Sequence, residues 1–554
     1  MPGKKLFVTP AEKHLRISKY PIIMKKAQVM CKTDWAFKAF RSGKGVHMKF
    51  SEWIYTRPDY SEIREKINDC KSRMLNAVSY QMFRDAWLDM KKEIEYMVYQ
   101  EEIIYIRHLC GIDYQYSLKE VEIQNREEPP LYALRDECNR IAAASEYRDE
   151  LAQEYGKQIF ENVEPQKQKK NADSIRLQAE ESELKLQYRK LMAENNRDDE
   201  ALYQVFRKLI EIRCELADSL GFNSYIDLGY RIEGRQNFGT KEITDFRRNI
   251  QKYVIPAVAE IKARGFSFDH PPAIAADSKE LIAAIAVMLK DLSDETGSYF
   301  EEMMQEELYD LEPRTYKRSQ LFTCCMLPHV KLPFIIGYFT GDGMETGYAV
   351  HEFGHGFAFY TAARKQPLYE LHRSSPAVNE IHSKTMEHFM FPYLDMFVGE
   401  HKNKYIRNHL MQQLENLAYR CAIDEFEHLM YDRNLSRVQL CKLWAEISNR
   451  FTPWNTPSAE DIKQGTCWPR QTHIVERPFY YIQYNIAQIS TYEFYLKMKS
   501  SFQQAWADYM RLCGEGGSKP YPELLVTAHL SNPFAASTLK DICRPIVDEL
   551  YSLL

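Results

Sequence analysis

The sequence predicts a mainly α-helical protein with one small β-sheet set beside a metal-binding helix. Three observations carry that expectation. Apolar residues recur three and four apart from about residue 60 to 300. Near residue 320 the texture changes to β-branched and aromatic residues around two prolines. His-Glu-x-x-His then stands at residues 351–355 on a segment with its own helical apolar stripe, and helical patterning resumes to the C-terminus. At 554 residues the chain exceeds one simple core, so two or more lobes are expected.

Composition narrows the function classes. Hydrophobic residues are 45% and charged residues 27%, as in ordinary folded proteins, and a net charge of −5 points to neither nucleic acid nor an acidic membrane surface. No apolar run reaches the roughly 18 residues that cross a bilayer. MPGKKLFVTPAEKHLR has basic residues without the apolar stretch of a signal peptide, so a cytoplasmic protein is expected. Its twelve cysteines are scattered, with no CxxC pair; the adjacent Cys324 and Cys325 have neither metal-site nor redox spacing. They read as reduced, mostly buried thiols.

Residues 1–47 carry eleven Lys and Arg against only Glu12 and Asp34. Three readings compete: a nucleic-acid-binding arm, a transit peptide, or a leader translated from a mis-assigned start, with Met48 of MKFSEWIYTRPDYSEI as the genuine one. The third is favoured. From 48 to 315 an N-terminal helical lobe is expected, with SEIREKINDCKSRMLNAV, YRDELAQEYGKQIFENV and SELKLQYRKLMAENN as amphipathic helices. EPQKQKKNADS reads as a solvated connection.

Residues 316–554 form the expected second lobe. LFTCCMLPHVKLPFIIGYF reads as two short strands broken by Pro328 and Pro333. In GDGMETG, Asp342 is placed to cap the next helix, with Glu345 three residues on in a loose capping box. On that helix His351 and His355 share one face, so both imidazoles can reach one Zn²⁺. Glu352 sits about 100° round from His351, where it faces a metal-activated water without being a ligand. Val350, Phe353, Phe357 and Tyr360 supply the stripe that buries the helix.

A catalytic zinc needs a third protein ligand and an open position. Downstream, HRSSPAVNEIHSKTMEHFMFP reads as a second helix, with Ser375 to cap it, Pro376 at its first position and Pro392 beyond its end. Glu380 and Glu387, seven apart, share a face. By pattern alone Glu380 is equally a metal ligand or a salt-bridge partner of Lys384, and Glu387 suits a carboxylate behind a ligand histidine. His382 and His388 read as structural.

HEFGHGFAFY, NEIHSKTMEHF, AIDEFEHLMY and WPRQTHIVERPFYYIQYNIAQI, in this order, resemble the oligoendopeptidase F group of the thimet oligopeptidase family. The resemblance runs clearly over about residues 320–545 and more faintly back to Met48. It implies two helical lobes around a deep channel admitting short peptides, and Glu380 as third zinc ligand. It also implies that His473, Tyr484 and either Tyr480 or Tyr481 bond the substrate carbonyl. By residue pattern, Pro478 opens a helix whose Ile482, Ile486 and Ile489 face the core, and His473 precedes it in a loop.

The implied activity is zinc-dependent hydrolysis of internal bonds in short peptides, with Glu352 as general base and LPFIIGYF pairing with the substrate backbone as an added strand. Two segments depart from the family: GDGMETG replaces a Gly-Thr-Ser-Gly-Asp type of loop, and RTYKRSQLF stands where a glycine-rich piece is expected. Substrate contacts are therefore expected to differ. Rival readings are a non-cutting peptide-binding relative, a carboxypeptidase-type metallopeptidase on the same ligands, and a nucleic-acid partner engaged through residues 1–47. Intact His351, Glu352, His355 and Glu380 argue against the first.

Overall fold

The computed structural model describes residues 49–161, 163, 172–193, 198–235, 238–431 and 434–554. The basic segment 1–47 lies outside them, as do residues 164–171 of EPQKQKKNADS. The chain divides into two compact units. The described part of the smaller is Lys49–Trp53 and Gln305–Glu307, where Lys49 pairs with Glu307 and the Phe50 N–H donates to the Glu306 carbonyl. The larger is Ile54–Met304 with Leu308–Leu554, and apart from Gln305, the last residue of one helix, everything below belongs to it.

Its helices begin where the sequence supplies caps and an apolar stripe. In α1 (Tyr60–Leu75) the Asp59 carboxylate accepts from the Ser61 and Glu62 N–H groups, and Ile63, Ile67, Cys70 and Met74 fall on one buried face. Ser79 caps α2 (Tyr80–Leu109), and α3 (Tyr114–Ala144) runs on through Pro129 and Pro130. Their shared core includes Ile67, Trp87, Ile94, Leu131 and Cys138, and it also takes in Leu368 and Leu371 from far along the chain. That contact ties the early helices to the segment leading into the candidate site.

Eight further helices, α4 to α11, occupy Arg148–Tyr155, Ala172–Ala193, Asp199–Ser219, Tyr225–Ile232, Thr240–Tyr253, Ile255–Ala263, Ser278–Leu292 and Asp294–Gln305. YRDELAQEYGKQIFENV is not one helix. Gly156, at φ 91°, ends α4, and a 3-10 turn follows over Lys157–Phe160.

Strands β1 (Tyr309–Asp310), β2 (Phe322–Leu327) and β3 (Leu332–Gly337) form a sheet of order β1-β3-β2, with β1 parallel and β2 antiparallel to β3. Two corrections follow. Pro328 lies in the turn, but Pro333 stands inside β3, paired with Met326. Proline is tolerated there because β1 reaches β3 only at Ile335 and Ile336, leaving no ladder bond to lose on that side. A two-residue β1 has too short a pattern to be legible.

From the sheet the chain enters α12 (Gly343–Lys365) and α13 (Pro376–Phe389), then α14 (Leu394–Val398), α15 (Lys402–Tyr431), α16 (Arg437–Phe451) and α17 (Ala459–Gln464). The last five helices are α18 (Thr472–Glu476), α19 (Gln483–Ser500), α20 (Phe502–Glu515), α21 (Tyr521–Thr527) and α22 (Ala536–Ser552). Helix α12 packs on β3, α13 and α20, and α13 packs on α19. Val350, Phe353 and Phe357 are wholly buried, as the stripe predicts, and Phe357 meets the ring of Tyr509. The architecture is thus mainly helical, with its small sheet against the helix carrying His-Glu-x-x-His.

No described helix is long and apolar enough to cross a membrane. All eleven described cysteines are free and eight are buried.

Candidate metal centre

Helix α12 is fixed at its start. Asp342 accepts from the Met344 N–H at 2.8 Å, the expected cap. Glu345 does not close a capping box; its carboxylate instead accepts from the Thr340 N–H at 2.6 Å and from the Thr340 hydroxyl. Further along the helix, Gly354 lets α13 approach: a Cβ there would stand 2.8 Å from Met386 Cβ and 2.9 Å from Ser383 Cα. This close crossing sets Glu380 against the two histidines.

Helix α13 starts with Ser375 at its cap position and Pro376 at its first residue, but the Ser375 hydroxyl caps nothing. Asn379 ties the entry instead, accepting from the Ser374 N–H and donating to the Ser374 carbonyl, each at 3.1 Å. Lys384 donates to Gln413 at 3.2 Å rather than forming an ion pair with Glu380. Glu380 is thereby left for another task.

One ligand atom each from His351, His355 and Glu380 lies within 4.8 Å of the others. His351 Nε2 is 3.5 Å from one Glu380 oxygen and His355 Nε2 is 3.9 Å from the other. Donors about 2.0–2.1 Å from a tetrahedral ion stand roughly 3.4 Å apart, so the set is nearly of ligating size. Glu380 Oε2 is buried with no hydrogen-bond partner. A buried, unpartnered carboxylate oxygen beside two imidazole nitrogens fits a divalent cation.

Glu387 completes the support. Its two oxygens take His351 Nδ1 and His409 Nε2, each at 2.6 Å. Burial opposes its charge, but those two bonds and the Lys384 charge outweigh it and hold the carboxyl well below the usual range. With Nδ1–H so engaged, His351 presents Nε2 toward Glu380. Burial, with His351 and Arg373 nearby, holds the other candidate ligand, His355, well below the usual imidazole range and so neutral. Glu352 is buried too, which pushes it up to about 7.

A cavity of about 270 Å³ opens on these groups; Glu352, Tyr480, Tyr484 and, from β2, Thr323 and Cys324 line it with His351, His355 and Glu380. The Tyr480 and Tyr484 hydroxyls lie 3.5 Å apart. Burial, then Glu380, raises both phenols, so both carry protons to donate. His473 and Tyr481 stand behind this wall: the His473 ring stacks on Tyr481 at 4.4 Å and Tyr480 at 5.8 Å. Its Nδ1 meets the Gln471 amide at 2.7 Å, and burial, with Arg420 and Arg477, brings it down to about 4.

Two local expectations are corrected. His473 sits in the short helix α18, not in a loop, and α19 starts at Gln483, not at Pro478. The cause is Phe479, held left-handed at φ 66° with its N–H donated to Glu427 at 3.1 Å. The turn this makes aims Tyr480 into the cavity, while Ile482, Ile486 and Ile489 remain wholly buried. In the unusual segment RTYKRSQLF, Tyr316 and Gln320 adopt φ 68° and 60°, conformations glycine takes at no steric cost.

Sequence reasoning missed His409, Glu427 and Arg373. The first two contact the site from α15, some 20 to 50 residues from what they hold, and periodicity carries no signal for such pairs. Arg373 lies three residues before α13 among polar neighbours that read only as helix entry.

The family model described as the peptidase M3 N-terminal domain matches residues 50–169, and the model of peptidase family M3 matches residues 283–543. The chain belongs to peptidase family M3. No curated protein sequence matches this M3 chain. It is similar to a structure assigned to oligoendopeptidase F, at 27% identity and TM-score 0.83 over 91% of this chain and 99% of that one. It is likewise similar to PZ peptidase A solved with an inhibitor, at 26% identity and TM-score 0.83 over 91% and 99%. The M32 carboxypeptidase of Deinococcus radiodurans R1 shares the fold alone, at 13% identity and TM-score 0.61 over 84% and 99%. Membership makes this M3 chain a metallopeptidase, with peptides as its substrate class and a metal ion implied.

Proposed function

We propose that this M3 peptidase is a zinc-dependent oligoendopeptidase that hydrolyses internal bonds of short peptides. One observation carries the reading: the unpartnered Glu380 oxygen, His351 and His355 face the same cavity as the buried Glu352. Two histidines and a carboxylate suit Zn²⁺. Bound by those three residues, it supplies Lewis acidity to the scissile carbonyl and acidity to the attacking water.

The chain's own groups do the rest. Glu352 takes the proton of the attacking water and returns it to the leaving amine, for which a carboxyl near neutrality is well matched. Tyr484 and Tyr480 donate to the oxygen that becomes negative; losing one such donor costs about 2.7–4 kcal/mol in the barrier. The His473 ring braces Tyr480 by stacking on it and also stacks on Tyr481. The substrate backbone pairs with β2 rather than with LPFIIGYF, because β3 is bonded on both sides and β2 has the free edge at the cavity. Free thiols throughout the described chain fit a cytosolic setting.

The test is digestion of unblocked and end-blocked peptides of graded length, with the products identified by mass. Internal fragments from end-blocked peptides support the reading. Release confined to one or two residues from a free C-terminus replaces it with a carboxypeptidase.

A further inference from the structure

We infer that Arg373 forms an anion subsite that holds a carboxylate of the peptide substrate; the inference rests on the peptidase reading and adds a charge preference to it. Arg373 and Pro376 are the wall common to the catalytic cavity and a larger adjoining cavity of about 590 Å³. A peptide running out of the catalytic cavity into the larger one passes Arg373.

The other charges of that larger cavity have partners: Arg231 donates to the Val163 carbonyl at 3.4 Å, and the rest form ion pairs. Lys91 pairs with Glu370 at 2.5 Å, Arg135 with Asp136 at 2.8 Å, and Lys519 with Glu515 at 2.8 Å. Glu233, the remaining carboxylate of the lining, is held by Arg477 at 2.8 Å. Arg373 forms no ion pair or hydrogen bond through its guanidinium among the described residues, and its side chain is exposed. Glu102, the carboxyl on which its charge acts, is pushed up to about 7 by burial despite that charge, so near neutral pH it is no full counter-ion. An unmatched, planar, five-donor cation on a cavity wall is suited to a carboxylate.

The backbone under Arg373 is clamped. The Gly517 N–H donates to the Leu371 carbonyl at 2.8 Å, and a Cβ at Gly517 would stand 2.3 Å from the Arg373 carbonyl oxygen. Leu371 is anchored in the core of the early helices, and Lys91 holds Glu370 beside it. A guanidinium on a fixed backbone loses less freedom on binding than one on a free loop.

The helix sets the reach. Pro376 to Glu380 is about 6 Å of helical rise, and extended peptide advances about 3.3 Å per residue. Arg373 therefore meets a carboxylate roughly two to four residues from the scissile bond. That group is either an Asp or Glu side chain or the terminal carboxylate of a short peptide.

The experiment uses fluorescent peptides in matched pairs: Glu against Gln at each of those positions, and free acid against amide at the C-terminus. Affinities are measured on the zinc-loaded chain carrying Glu352→Gln, alone and combined with Arg373→Gln or Arg373→Lys, so that the readout does not depend on hydrolysis. The expected result is about tenfold tighter binding of one acid over its neutral partner, falling to about one with Arg373→Gln and partly restored by Arg373→Lys. Which pair shows the preference separates side chain from terminus. No acid preference in any pair, or one that survives Arg373→Gln, overturns the proposal. If the unsubstituted chain cleaves nothing while the preference is present, the peptidase reading fails and the anion subsite stands.

Discussion

Glu387→Gln is the sharpest perturbation of the metal centre that leaves every ligand in place. The carboxylate accepts from His351 Nδ1 with one oxygen and from His409 Nε2 with the other, both at 2.6 Å, the first bond partly buried and the second buried. An amide has one acceptor oxygen, so one imidazole must face an NH₂ group. Hydrogen bonds to charged groups contribute about 1.5–3 kcal/mol each, and about 1.36 kcal/mol is tenfold in an equilibrium constant. Metal affinity should therefore fall about 10- to 100-fold, the usual range for losing a carboxylate behind a ligand histidine. Competition with a chromophoric chelator gives the dissociation constant, and circular dichroism with metal added checks that the variant is folded. A folded Glu387→Gln protein with unchanged metal affinity would refute the account of His351 as a ligand oriented from behind.

Two other predictions concern packing and charge. Gly354→Ala forces α12 from α13, because the new methyl meets Met386 Cβ and Ser383 Cα; it should cost about 1–3 kcal/mol in chemical denaturation and weaken metal binding, since Glu380 rides on α13. Burial, with Glu128 alongside, pushes Glu101 up to about 10. The folded chain then holds a proton that an unfolded glutamate releases near 4.5, so this group's penalty is absent below that pH and grows as pH rises toward 10. Glu101→Gln should raise stability by about 1–3 kcal/mol at pH 8 and change it little at pH 5, as read from denaturation midpoints at the two pH values.

Much of the candidate site was legible because a His-Glu-x-x-His motif is local. His351, Glu352 and His355 lie within five residues, and Val350, Phe353 and Phe357 supply the burial such a helix requires. Glu380 was ambiguous by pattern; only the third dimension shows Lys384 turned to Gln413 and the Glu380 oxygen left without a partner. The sheet was legible in two strands of three, and its order was not. Order decides which strand has a free edge, and it is why substrate is proposed to pair with β2 rather than with β3. The turn at Phe479 was equally hidden. Its left-handed backbone is held by Glu427, 52 residues earlier, and Pro478 before it reads as an ordinary helix start. Pairings across such separations leave no periodic trace.

The most direct test of the central claim compares the unsubstituted chain with Glu352→Gln, measuring cleavage of an internally quenched short peptide and bound zinc in the same samples. The account predicts that the chain cleaves the peptide with close to one zinc bound. Glu352→Gln should keep the zinc and lose turnover by at least about a hundredfold, the lower range of general-base contributions. Undiminished cleavage by Glu352→Gln, or cleavage by a chain that binds no metal at His351, His355 and Glu380, would contradict it.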